Sequence, residues 1–323
     1  MERLNAKGQL PADKDSTTVE QWLDVWLTKE VKPNLAPKTF TYYEMMCRLY
    51  IVPVLGRTPI LRLNRAQIQN LISEMKFKGS SPSTIRGAKI TLSRALKSAV
   101  QNNLIAFNPA IDIMLPKLEP NEPKHLETEQ VNQLLSSIEG NWYAPLFTVA
   151  IHAGLRNGEI RGLTWKDIDF KSECIQVRHQ LQRIDGRLTH KSLKSKAARR
   201  EIPLTKQALE ALITQRAWID LGGWKNPMDL VFLNDLGRPL DEKYINDLLK
   251  KCLNDIGLEK MRFHDLRHTT ATLMLANGIS IHDVQKIIGH SQISLTTDLY
   301  GHGTREAHRR AMTKFSESFV DVD

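Results

Sequence analysis

The chain has only three cysteines, Cys47, Cys174 and Cys252, an odd number set far apart. This excludes a disulfide framework or a zinc-binding spacing and makes a reducing cytoplasm the simplest setting. Aromatic residues are 7% of the sequence, and no apolar run approaches the ~18 residues a membrane span needs. Met1-Glu2-Arg3-Leu4 starts no signal peptide. Acidic residues are scarce in one stretch: positions 48–97 hold ten lysines and arginines but a single acid, Glu74. The whole chain carries a formal charge of +9, so the remainder is close to neutral. Positive charge concentrated in this way predicts a phosphate-facing surface, with a solubilising helical face as the alternative.

A length of 323 residues is about twice that of a usual domain and predicts two of them. Residues 1–17 are polar and aperiodic and read as a tail or linker remnant. Trp22, Leu23, Trp26 and Leu27, then Tyr42, Met45, Met46 and Leu49, predict two helices flanking a turn at 33–37. A third helix is expected over 65–76. Ser81 opens a fourth, whose apolar face is Ile85, Ala88, Leu92, Ala95 and Ala99. Arg86, Lys89, Arg94 and Lys97 cover much of its other faces and are candidate DNA contacts. These elements make a helical domain over 18–114. The proline-rich stretch 115–124 reads as a linker to a second domain over 125–303. That domain is mostly helical, with strands expected over 174–183 and 199–204 and a turn at Asp185-Gly186, forming one small sheet. A C-terminal helix over 305–315 and an acidic end complete the chain. The fold class is mainly α with a small β-sheet, α+β.

The second domain carries short motifs whose polar residues have no evident structural purpose. Arg156 stands at a helix entrance after Gly154, with Glu159 on the same face; taken alone, this is a helix start with an ion pair. His264 and Arg267 lie one turn apart at the mouth of another helix. Gly289-His290 ends a third, and Tyr300 follows ten residues after His290. Between the first two motifs lies a basic segment with Lys191, Lys194, Lys196 and Arg199.

In this order and at this spacing the residues resemble the tyrosine recombinase (phage integrase) family. Arg156 with Glu159 is similar to the family's first arginine motif, His264 to Arg267 to its His-x-x-Arg box, and Gly289-His290 to the pair that precedes its tyrosine. The resemblance spans residues 18–315, more loosely in the first domain, which looks like the family's SAM-like core-binding domain. It implies a C-shaped clamp on double-stranded DNA and a homo-oligomer, a tetramer in the synapse, of the mobile-element integrase type. Arg156, Lys194, His264, Arg267, His290 and Tyr300 are the implied catalytic set, with Lys196 the alternative lysine. Glu159 is a buttress behind Arg156, and Lys191, Lys196 and Arg199 are further DNA contacts. Residues 1–17 are too short for the arm-binding domain that many integrases carry, so the chain reads either as a truncated integrase or as a simpler recombinase.

The chemistry suits those residue types. Cutting a phosphodiester needs in-line attack by an oxygen, stabilisation of added negative charge, and a proton for the departing 5′ oxygen. A phenol is a better anion than a serine hydroxyl, and arginine offers a planar fork of donors that stays charged. Two guanidinium ions stand where other nucleases use metal cations, so no metal or other cofactor is expected. The His264 and His268 spacing invites a zinc-helix reading, but Asp265 occupies the glutamate position and Arg267 would repel a cation. A type IB topoisomerase shares the chemistry and is one rival. A helix-turn-helix regulator over 270–288 is another, although Val284, Ile287 and Ile288 read as buried there.

Overall fold

The computed structural model describes residues 16–118, 124–184, 186–193 and 198–289, and the chain divides into two compact units between Asn121 and Glu122. In the first unit, α1 (Val19–Trp26) opens at Thr18. The Thr18 hydroxyl accepts from the Gln21 amide while the Gln21 side chain accepts from the Thr18 amide, a reciprocal cap that contributes about 1 kcal/mol. The chain continues through a π-turn at Leu27–Val31 into the short α2 (Lys32–Asn34) and turns before Pro37. There follow α3 (Pro37–Met46), a second π-turn at Cys47–Ile51, α4 (Val52–Leu55), α5 (Arg65–Phe77) and α6 (Pro82–Gln101).

The centre of this unit is α6, capped by Ser81, with Ile85, Ala88, Leu92, Ala95 and Ala99 buried as their spacing predicts. Trp22 packs on it and donates its indole N–H to the Ala95 carbonyl at 2.8 Å. The expected face of α3 is corrected. Tyr43, Met46, Cys47 and Ile51 are buried, whereas Tyr42 and Leu49 are 40% and 49% exposed. Met46 and the half-buried Met45 face inward as expected, but the buried stripe runs through Tyr43 and Cys47, because Tyr43 and not Tyr42 stacks on Trp26, ring centroids 5.4 Å apart.

The second unit is built round α8 (Ala144–Ala153), which buries Leu146, Phe147, Val149, Ala150 and Ile151 on nearly all sides and is therefore enclosed by its neighbours. Those neighbours include α7 (Thr128–Ser137), α10 (Lys206–Gly222), α11 (Glu242–Asp255), α12 (Phe263–Ala276) and α13 (Ile281–Ile288), with the short α9 (Asn157–Arg161) after α8. The expected single strand over 174–183 is broken at Arg178. The first part, β2 (Cys174–Val177), lies between β1 (Ile168–Asp169) and β5 (Arg200–Pro203) in an antiparallel sheet ordered β1-β2-β5. The second part, β3 (His179–Ile184), forms a separate hairpin with β4 (Arg187–Ser192). Ile184 pairs with Arg187, so β3 takes its partner from the residues just beyond it and leaves β2 to pair with β5. All three cysteines are free and buried.

Candidate active site

Gly154 ends α8 in the left-handed conformation, φ +58°, and a Cβ there would stand 2.4 Å from Ile288 Cδ1. Only glycine meets both demands. The chain then buries Leu155 and presents Arg156 as the N-cap of α9. Glu159, 1% exposed, accepts from the Arg156 backbone amide at 3.0 Å and from Arg156 Nη1 at 2.7 Å. The ion pair of an ordinary helix start is therefore present. The guanidinium also reaches far along the chain, because Arg156 Nη2 donates to the Gly289 carbonyl at 2.6 Å.

Arg267 comes to the same place from α12. Its Nη1 donates to the Gly154 carbonyl at 2.8 Å, and Thr270 Oγ1 donates to the Ile151 carbonyl at 2.6 Å. The helix thus satisfies carbonyls left over at the C-terminal end of α8, where positive charge is also favoured. Arg267 is buried, whereas the Arg156 side chain is 34% exposed. One turn before Arg267, His264 keeps contact with solvent and lies edge-to-face with His268, ring centroids 5.1 Å apart. Partial burial, then His268, Arg267 and Arg156, push its pKa down to about 4, with Asp265 opposing them. The imidazole is therefore neutral at pH 7 and able to accept a proton.

Glu159 is held by a second cation that the sequence reading did not single out. Arg200, on β5, donates from Nη2 to Glu159 Oε2 at 2.9 Å and from Nη1 to Glu159 Oε1 at 3.2 Å. Burial alone would raise the Glu159 pKa, but Arg200 and then Arg156 outweigh it and hold the carboxyl at about 2. The only sequence signal was the basic run that Arg200 shares with Arg199, which does not tell the two apart. Arg178 and His179 were also passed over. With Ser192, Arg199 and Arg200 they line an open basic cleft beside the sheet.

Of the other expected residues, Lys191 lies on β4 and Arg199 is exposed next to β5. Lys194, Lys196, His290 and Tyr300, and the expected helix over 305–315, lie outside the described residues. In the first unit, Arg86, Lys89, Arg94 and Lys97 lie on α6 outside its buried stripe, Arg94 and Lys97 exposed and Arg86 and Lys89 half-buried. Arg94 donates to the Tyr43 hydroxyl with its guanidinium over that ring. Val284 and Ile288 are buried and Ile287 is half-buried, so the apolar stripe of α13 packs inward. Among the described residues, no helix is long and apolar enough to cross a membrane.

Two arginines from distant segments beside a neutral imidazole suit an anion whose negative charge grows during reaction, as at a phosphodiester under attack. The sequence pattern of the phage integrase family matches residues 124–307, and that of the phage integrase N-terminal SAM-like domain matches residues 18–76. A XerC-like tyrosine recombinase of Caldanaerobacter subterraneus subsp. tengcongensis is 27% identical, covering 99% of this chain and 88% of the relative. Among solved structures, the Tn1549 transposon integrase in complex with transposon right-end DNA superposes with a TM-score of 0.79 and 27% identity, over 93% of this chain and 100% of that one. The lambda integrase tetramer bound to a Holliday junction shares the fold, with a TM-score of 0.67 at 18% identity over 88% of this chain and 78% of that one. The chain belongs to the phage integrase family of tyrosine recombinases, and is a site-specific recombinase that breaks and rejoins DNA.

Proposed function

We propose that this recombinase serves a mobile element and cuts through a 3′-phosphotyrosyl intermediate. The Tyr300 oxygen forms a bond to phosphorus as the bond from phosphorus to the 5′ oxygen breaks. The tyrosine proton passes toward His264, and Lys194, or Lys196 in its place, gives a proton to the departing 5′ oxygen. Rejoining is the reverse, with the 5′ hydroxyl attacking the tyrosyl ester. Arg156 and Arg267 hold the phosphate oxygens, His290 donates to another, and Glu159 keeps Arg156 in place from behind. The observation that carries this reading is the bond from Arg267 to the carbonyl of Gly154, two residues from Arg156. Exchange between two duplexes needs four such sites, so four copies assemble on DNA.

Nicked attachment-site DNA, in which the freed 5′ fragment diffuses away, tests the reading. Wild type should accumulate a covalent protein–DNA adduct, and Tyr300→Phe should bind the same DNA without forming one. An adduct in the variant would assign the nucleophile elsewhere. Relaxation of supercoiled DNA lacking any attachment site, without strand exchange on DNA carrying one, would favour the topoisomerase reading.

A further inference from the structure

We infer that Arg200 is a positioning residue that holds three chemistry-bearing segments in register and leaves the charge of Arg156 available to the phosphate. The inference rests on the recombinase reading above. Arg200 is nearly buried, its side chain 5% exposed. Its Nε donates to the Ile287 carbonyl at 2.6 Å, its Nη1 to the Ala198 carbonyl at 3.2 Å and to Glu159 Oε1, and its Nη2 to Glu159 Oε2. The three partners belong to three separate parts of the chain. Ile287 is in the last turn of α13, three residues before His290; Ala198 follows the segment that carries Lys194 and Lys196; and Glu159 is the partner of Arg156.

The charges require the same residue. Glu159 is buried and ionised, and with Arg156 alone it would form a neutral pair, leaving little attraction for a phosphate. Arg200 supplies a second cation, so the trio of Arg156, Glu159 and Arg200 carries a net positive charge. Removing one partner from a buried ionic group leaves the others uncompensated. Lysine cannot substitute, because a compact ammonium cannot reach two carbonyls and both oxygens of a carboxylate at once. The space is also closely filled: a Cβ on Gly289 would lie 2.9 Å from Arg200 Cδ.

The test compares wild type, Arg200→Lys, Glu159→Gln and the paired variant Glu159→Gln with Arg200→Gln. The readouts are thermal melting, affinity for attachment-site DNA, and the single-turnover rate of adduct formation as a function of pH. Arg200→Lys should bind DNA nearly as wild type does, yet form adduct about 10- to 100-fold more slowly, as loss of an outer support typically does. Its acid limb should move to higher pH, because a Glu159 less firmly held protonates sooner. Wild-type rate with an unmoved limb overturns the inference, as does a slower rate that only follows the loss of folded protein. Should Arg200→Lys fail to fold, the paired variant decides, since it buries no unbalanced charge. Adduct formation slower in a folded pair than in Glu159→Gln alone supports positioning, and a rate equal to that of Glu159→Gln overturns it. Absence of an adduct in wild type, or its presence in Tyr300→Phe, would instead sink the recombinase reading itself.

Discussion

Arg267 and Gly154, 113 residues apart in the chain, meet through one hydrogen bond of 2.8 Å from Nη1 to the carbonyl oxygen. That bond fixes the second motif arginine to the turn that presents the first. α12 grips the end of α8, and Gly154 turns the chain out toward Arg156. The first prediction concerns this pair. Arg156→Lys and Arg267→Ala should each cost about 10² or more in single-turnover cleavage, with a far smaller effect on DNA affinity. Rates within a few-fold of wild type would remove either arginine from transition-state stabilisation.

Acid should weaken the second unit through Glu159. Its carboxyl is held at about 2 in the folded chain against an ordinary value near 4.5, so the unfolded state binds the proton first as pH falls. The stabilisation is fully present above about pH 4.5, is lost on descending toward pH 2, and is on the order of 3 kcal/mol. Denaturant melts across that window should show the slope in wild type and a flatter one in Glu159→Gln.

His264 should titrate near pH 4 in the folded protein, well below the ordinary 6.5. Between those values the unfolded chain carries the proton and the folded chain does not, so His264 makes stability fall as pH drops from about 6.5 to 4. NMR of the imidazole resonances measures this directly. A midpoint close to 6.5 would contradict the pull that burial and the neighbouring His268, Arg267 and Arg156 exert on His264.

Gly289→Ala should be destabilising and slow cleavage together. The backbone there has φ +73°, and the new methyl would enter the space of Arg200. The conformational penalty alone is about 1–2 kcal/mol. Melting and adduct formation on the same preparation check the prediction, and a variant with wild-type stability and rate would contradict it.

The helical parts legible in the sequence are those with unbroken periodicity. The face of α6 is readable because Ile85, Ala88, Leu92, Ala95 and Ala99 recur every three or four residues without interruption. That of α3 is not, since Tyr42 looks as apolar as Tyr43 and only the stacking on Trp26 selects the latter. The break at Arg178 was hidden for a similar reason, because residues 174–183 read as one strand while the pairing partners lie further along. Arg156, His264 and Arg267 were readable as motifs, and the structure brings them together. Arg200 was not, because its partners are a carboxylate 41 residues away and the carbonyls of Ile287 and Ala198, which have no sequence signature.

The most direct test is a structure of the protein on attachment-site DNA with vanadate at the cut, mimicking phosphorus at the moment of exchange. The account predicts Arg156 and Arg267 each within about 3 Å of equatorial vanadate oxygens, with the phenolic oxygen of Tyr300 at one apex. Vanadate held by only one of the two arginines, or with another side chain at that apex, would contradict it.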